Sequence, residues 1–171
     1  MEVKVKRLSE NAVIPMYGKP GDAGMDLTAT SRHFDAEGNV VYGTGLAFEI
    51  PEGHVGLIFP RSSNAKKDLI LTNSVGVVDS GYRGEVMFKF KPVPFFADED
   101  CCESGDTYTF DFTVTPGSRF ADSFEFGINL YEVGDRVGQI IIMPYPQVVF
   151  VESEDLEPTL RGEGGFGSTG N

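Results

Sequence analysis

Cysteine, histidine and positive charge are all scarce in this chain of 171 residues. The two cysteines, Cys101 and Cys102, are adjacent and poorly placed to bridge each other. A disulfide scaffold is therefore excluded, and a reducing, cytoplasmic setting is expected. His33 and His54 are the only histidines, and neither has ligand spacing to the cysteine pair, which excludes a zinc site built on it. Fourteen Lys and Arg stand against 26 Asp and Glu, a net charge of −12. A protein that grips nucleic-acid backbones carries a basic face, and none is legible, so no nucleic-acid partner is expected. An acidic protein still binds a small polyanion where a few cations and backbone amides converge, so any anion site here must be local.

Long hydrophobic runs are missing too. The longest purely aliphatic one is Ile140-Ile141-Ile142, ended by Met143-Pro144, far short of a membrane span. The start, "MEVKVKRLSEN", has no apolar stretch of signal-peptide type, so neither a secretory signal nor a membrane association is expected.

What is abundant is turn chemistry and alternation. Glycine and proline together number 31, which points to many turns. In "GEVMFKFK", Val86, Phe88 and Phe90 fall on one face and Glu85, Met87, Lys89 and Lys91 on the other. "TYTFDFTV" at 107 to 114 repeats the theme, and period-2 alternation of this kind marks half-buried strands. "VKVK" at 3 to 6, "VVYGTGLAFEI" at 40 to 50 and "HVGLIF" at 54 to 59 read the same way. Turns are expected at Glu37-Gly38-Asn39, Pro51-Glu52-Gly53, Pro116-Gly117 and Val133-Gly134-Asp135. Many short, closely spaced strands predict an all-β sandwich or barrel of the jelly-roll kind. One stretch alone suggests a helix: "SSNAKKDL" after Pro60-Arg61, with Ser62, Ser63 and Asn64 as capping residues and a length of one or two turns. Residues 98 to 106, "DEDCCESGD", hold five carboxylates in nine positions. They read as a solvated acidic loop leading to an extra hairpin, with a metal site as the alternative.

Five stretches can carry chemistry, and each has an ordinary reading beside it. "PRSSN" places an arginine and two hydroxyls at a helix start, which suits an anion, although Ser62 or Ser63 could be a plain N-cap. In "NSVGVVDSGYRGEV", Asp79 at a strand end beside Tyr82 could activate water below a ring-shaped ligand. Asp79-Ser80-Gly81 could equally be a hairpin turn with Tyr82 packed beneath it. Asp26, in "AGMDLTA", lies between apolar Met25 and Leu27 and is either exposed or paired with a cation. Arg136 and Gln139 open a buried strand, "GDRVGQIIIMP", where surface polarity is the simple explanation. The tail "RGEGGFGSTG" is a solvated low-complexity end or a functional arm.

Taken together and in order, these five stretches resemble the five motifs of trimeric dUTPase, the enzyme that splits dUTP into dUMP and pyrophosphate. The resemblance covers about residues 1 to 92 and 130 to 171. It implies an all-β, dUTPase-like jelly-roll (β-clip) subunit with one short helix, assembling as a homotrimer whose sites use residues from all three chains. The implied organisation is a single domain over residues 1–160, with an inserted hairpin region at about 93–129, followed by a mobile glycine-rich lid at 161–171.

Residue by residue, the resemblance implies that Asp79 orients the water that attacks the α-phosphorus in line, a reaction in which positioning and charge neutralisation do most of the catalysis. Asn73 and the backbone of the hairpin at 73 to 86, including Gly76, would read the uracil edge. Tyr82 would pack under the deoxyribose and exclude a 2′-hydroxyl. Arg61, Ser62, Ser63 and Gln139 would hold the phosphate chain, with Mg²⁺ gripped chiefly by the triphosphate rather than by protein ligands. Asp26 and Arg136 would support the site's charge geometry. The tail would close from a neighbouring subunit: Phe166 stacks on the uracil, and Arg161, Gly167, Ser168 and Thr169 complete the lid around the γ-phosphate. Pro144 and Pro146, flanking Tyr145, would be the hinge that sends "QVVFVE" toward that neighbour.

Two features depart from the family pattern. Gly138 stands where alanine is common in the fourth motif, a change expected to be tolerated. The segment 93–129 has no counterpart in the shortest members, although some phage members carry an insert here. Its aromatics (Phe95, Phe96, Phe110, Phe112, Phe120, Phe124 and Phe126) are an extra core or a surface for a protein partner. A cytoplasmic location is implied, the host cytoplasm for a viral member. Two rivals stand against hydrolysis of dUTP. One is a deaminase of dCTP on the same fold, whose catalytic glutamate comes roughly where this chain has Lys89. The other is a nucleotide-gated regulatory protein acting through the insert.

Overall fold

The computed structural model describes residues 1–93 and 129–165. Ten strands and one 3₁₀ turn make up its regular structure: β1 (Lys4–Arg7), β2 (Met25–Thr28), β3 (Ser31–Phe34), β4 (Val40–Gly43), β5 (Leu46–Glu49), β6 (His54–Phe59), the turn Ser62–Lys66, β7 (Leu69–Leu71), β8 (Gly76–Val78), β9 (Met87–Pro92) and β10 (Arg136–Pro144). All pairings are antiparallel, in three sheets ordered β1-β5, β2-β10-β6-β8 and β3-β4-β9-β7. The chain is nearly all-β, as its alternation predicts. No helix among the described residues is long and apolar enough to cross a membrane.

The core is sandwiched between the two four-stranded sheets. Val40, Tyr42, Phe88 and Phe90 of one meet Leu27, Ile58, Val78, Val137 and Ile140 of the other in a single buried cluster. β9 obeys the period-2 rule: Val86, Phe88 and Phe90 are buried while Met87, Lys89 and Lys91 are exposed. The stretch 40 to 50 does not. It breaks into β4 and β5 at Thr44-Gly45, where Gly45 takes φ +65°, and residues 40 to 48 are buried without alternation because both faces are covered. The helix is 3₁₀ rather than α, and neither serine caps it: Arg61 is the N-cap, with no side-chain cap bond. Glycines at positive φ sit in the expected turns at Gly38, Gly53 and Gly134.

Two anchors frame the segment expected to be inserted. Val93 N donates to Asp68 O at 2.8 Å and Asn129 N donates to Asp68 Oδ2 at 2.7 Å, so both flanks meet on Asp68. The Tyr42 hydroxyl then donates to Tyr131 O and accepts from Tyr131 N, at 3.0 and 3.1 Å. Burial pushes that phenol up to about 12, so it stays protonated while it holds the returning chain. The expected strands at 107 to 114, the turn at Pro116-Gly117, the acidic loop and the seven insert phenylalanines lie outside the described residues.

Candidate active site

Two clusters gather nearly all the described motif residues. The first is built on Asp26, whose short strand β2 is the edge of its sheet beside β10. Arg61 Nε donates to Asp26 Oδ1 at 2.6 Å, and Arg136 Nη1 donates to Oδ2 at 3.0 Å. Of the two alternatives for Asp26, pairing with a cation is the one realised. Two guanidiniums on one carboxylate leave one positive charge in excess, a local anion site inside an acidic chain. Arg61 Nη1 also donates to Ser63 Oγ at 3.2 Å, and that hydroxyl lies 3.4 Å from the Tyr131 hydroxyl. Ser62 is exposed beside it. The first amides of a helical turn have no intrahelical acceptor, so this turn presents N–H groups next to the guanidiniums.

Gln139 joins this cluster because β10 is bulged. Positions 136 and 139 of a regular strand face opposite ways. Here the register against β2 shifts between Arg136, opposite Thr28, and Gly138, opposite Leu27, which puts Gln139 opposite Asp26. The extra residue changes the parity, so Arg136 and Gln139 share the outer face while Val137 and Ile140 are fully buried. Gln139 Nε2 donates to Pro60 O at 3.1 Å. Its side chain lies against Gly24, where a Cβ would stand 2.3 Å from Oε1. Gly138 is equally constrained: a Cβ there would be 2.1 Å from Phe88 Cε1. The glycine expected to be a tolerated change is the one whose missing methyl makes room for that ring.

The second cluster is an open recess of about 220 Å³ lined by Asn73, Gly76, Asp79, Tyr82, Glu85 and Met87, among others. β8 lines it and, among the described residues, is the last strand of its sheet, paired only on its β6 side, so its outer edge presents backbone donors and acceptors that no described strand takes up. Gly76 is buried, and a Cβ on it would strike Ile58 at 2.3 Å and approach Asn73 Nδ2 at 3.2 Å. Ser74, at the tip, is the one non-glycine residue with positive φ among those described, at +58°. Backbone strain of this kind concentrates at ligand-binding turns. Asp79 is exposed, and its carboxylate makes no hydrogen bond or ion pair to any other described residue. Tyr82 N donates to Asp79 O at 3.0 Å, so Asp79-Ser80-Gly81-Tyr82 is indeed a tight turn. Asp79 nonetheless lines the recess. The Tyr82 ring lies over Gly84 and its hydroxyl donates to Glu85 O at 3.0 Å.

None of Asp26, Arg61, Ser63, Arg136 and Gln139 lines this recess. Arg161 joins neither cluster; its Nε donates to Gly164 O at 3.0 Å. Phe166, Gly167, Ser168 and Thr169 lie outside the described residues. Residues 145–165 pair with no strand, and Val149, Phe150 and Val151 are each at least 85% exposed. A larger groove of about 440 Å³ behind the Asp79 turn, lined by Lys4, Glu49, Glu52 and Arg83, mixes opposite charges and holds none of the expected residues. Gly24, Glu85 and Tyr131 escaped the reading of the sequence. Gly24 and Glu85 had a signal, since each lies in a quoted motif, Gly24 two residues before Asp26 and Glu85 three after Tyr82.

Comparison with known proteins identifies the family. The family model for dUTPase matches residues 10–93. The deoxyuridine 5′-triphosphate nucleotidohydrolase of Rhodococcus erythropolis is 35% identical, over 99% of this chain and 87% of its own. The enzyme of the same name from Arabidopsis thaliana is 38% identical, over 98% and 82%. Among solved structures, a variant of the Staphylococcus bacteriophage 80alpha dUTPase with dUpNHpp has a TM-score of 0.70 at 27% identity, covering 99% of both chains. With motif order, strand arrangement and full-length likeness all in accord, the chain belongs to the dUTPase family.

Proposed function

We propose that this protein hydrolyses dUTP to dUMP and pyrophosphate, keeping uracil out of DNA and supplying dUMP, by in-line attack of an Asp79-oriented water on the α-phosphorus. One observation carries the reading: a carboxylate without a partner among the described residues lines the same recess as a tyrosine ring and the outer edge of β8. The edge of β8 and Asn73 suit the donor–acceptor pattern of uracil, and cytosine's amino group would meet a donor where a carbonyl is required. The buried Gly76 leaves the wall close, which leaves no place for thymine's methyl. Tyr82 supports the sugar. Arg61, Ser62, Ser63 and Gln139 hold the phosphates, backed by Asp26 and Arg136.

Both oxygens of Asp26 are already taken by guanidiniums. A Mg²⁺ ion would therefore be held by phosphate oxygens, where it would supply further neutralisation of charge. The remaining work falls to the chain: it binds the phosphates, aims the water and accepts the water's proton at the Asp79 carboxylate.

The separation of the two clusters supports a homotrimer in which a recess and an arginine cluster from different subunits complete one site. The 145–165 segment, with Val148, Val149, Phe150 and Val151 exposed, supports an arm that leaves its own subunit through the Pro144-Tyr145-Pro146 hinge. On this reading residues 1–160 are the catalytic domain, 161–171 the lid with Phe166 over the base and Arg161, Gly167, Ser168 and Thr169 at the γ-phosphate, and 93–129 an insert open to a protein partner. The setting is the cytoplasm, without nucleic-acid or membrane partners. Deamination of dCTP is disfavoured: Lys89 stands near the position of the deaminase glutamate and is committed to Asp35 at 2.8 Å.

The test is product analysis by ³¹P NMR with dUTP and Mg²⁺, with dCTP, dTTP and UTP in parallel. Pyrophosphate and dUMP from dUTP alone is the expected result. Unchanged dUTP would overturn the reading, and an altered base with an intact triphosphate would assign the deaminase reaction.

A further inference from the structure

The stem that carries the Tyr82 ring into β9 is held by close packing at Gly84 and by hydrogen bonds at Glu85 and Val86. The ring sits so close over Gly84 that a Cβ there would be 2.4 Å from the hydroxyl oxygen. The Glu85 carbonyl accepts that hydroxyl. Val86 N donates to Leu46 O at 2.9 Å, and the fully buried Thr44 hydroxyl donates to Val86 O at 2.6 Å. The last tie is the Glu85 side chain, whose Oε1 accepts the Gly45 N–H at 2.7 Å.

That carboxylate lies in a notch that glycine leaves open. A Cβ on Gly43 would stand 2.6 Å from Glu85 Oε1 and 2.5 Å from Ser31 Oγ. Gly45 is itself held at φ +65° with Ser9 and Ala12 against it, so the donor cannot move to follow the carboxylate. No cation among the described residues pairs with Glu85. A half-buried carboxylate whose described partner is a single backbone amide sets one charge-assisted hydrogen bond against the cost of its partial desolvation. Its geometric consequence is larger, because the same residue's carbonyl aims the Tyr82 ring.

We infer that Glu85 is a positioning residue for sugar selection: its carboxylate pins the stem to the Gly45 turn and thereby holds the Tyr82 ring in place along the recess. The inference rests on the dUTP reading given above. Glu85→Ala frees the stem, and the ring can then give way to a 2′-hydroxyl. Glu85→Gln keeps an oxygen that accepts the Gly45 amide and preserves the pin.

The test is steady-state kinetics on dUTP and UTP with the full-length protein. In Glu85→Ala the ratio of kcat/KM for dUTP over UTP should fall about tenfold, the scale of one lost hydrogen bond, chiefly through KM. Glu85→Gln should stay within about twofold of the parent. Gly43→Ala is the independent probe, because its methyl expels the carboxylate from the notch without altering Glu85; it should reproduce the loss of selectivity even if Glu85→Ala fails to fold. Unchanged selectivity in a folded Glu85→Ala or Gly43→Ala variant would overturn the inference, as would a Glu85→Gln variant as impaired as Glu85→Ala. A parent protein that leaves dUTP intact would instead sink the underlying reading.

Discussion

Replacing Gly138 with alanine puts a methyl carbon 2.1 Å from Phe88 Cε1 and 2.3 Å from Cζ, against an ordinary contact of 3.4 Å or more. The ring has nowhere to go. Phe88 is fully buried and stacked on Phe90 with centroids 6.2 Å apart and planes 12° from parallel. Overpacking a filled core costs about 1–3 kcal/mol. For a chain of this size that is a fall in Tm of roughly 2–12 °C. Because Gly138 precedes Gln139 within the bulge, KM for dUTP should rise as well. Urea unfolding at one fixed protein concentration measures the cost, the concentration being held because any self-association would add to stability. Phe88→Leu made alone opens a cavity, but combined with Gly138→Ala it should recover stability, giving a coupling of about 1 kcal/mol or more in a double-mutant cycle. A Gly138→Ala variant within about 0.5 kcal/mol of the parent, or strictly additive single costs, would refute the steric argument.

Other expectations concern charge. Asp79→Asn should bind dUTP while kcat drops at least about a hundredfold, read by calorimetric titration beside turnover. Asp26→Ala leaves the Arg61 and Arg136 guanidiniums without their shared partner; KM for dUTP should rise about tenfold, with a smaller change if the arginines are held by other means. The third case is acid stability. Burial pushes the Asp35 carboxyl up, but Lys89 and the Asn39 side chain and amide more than offset this and hold it well below the usual carboxylate range. A depressed folded-state value contributes stability above the unfolded value of about 4 and loses it as pH falls toward the folded one. Asp35→Asn should therefore destabilise at neutral pH, with the gap to the parent closing progressively below about pH 4. Urea midpoints at pH 7 and pH 2.5 decide it, since an equal gap at both would show that the carboxylate charge is irrelevant.

Local pattern was enough to find β6 at its observed ends, the buried face of β9 and the turns at Gly38, Gly53 and Gly134, because period and turn chemistry act over a few residues. Motif order was likewise legible, and with it the candidates Asp26, Arg61, Asp79, Tyr82 and Gln139. How they meet was not. A period of two places Arg136 and Gln139 on opposite faces, and only the bulge, defined by pairing with β2, reverses that. The unbroken burial of residues 40 to 48 arises because both faces are covered, which alternation along one strand cannot reveal. Asp26 meets residues 35 and 110 positions away, Gly138 owes its identity to a ring 50 positions back, and Glu85 finds its amide 40 positions away. Side-chain chemistry and local geometry belong to the sequence; partnership across such separations is set by the packing of whole sheets, and only the tertiary structure decides it.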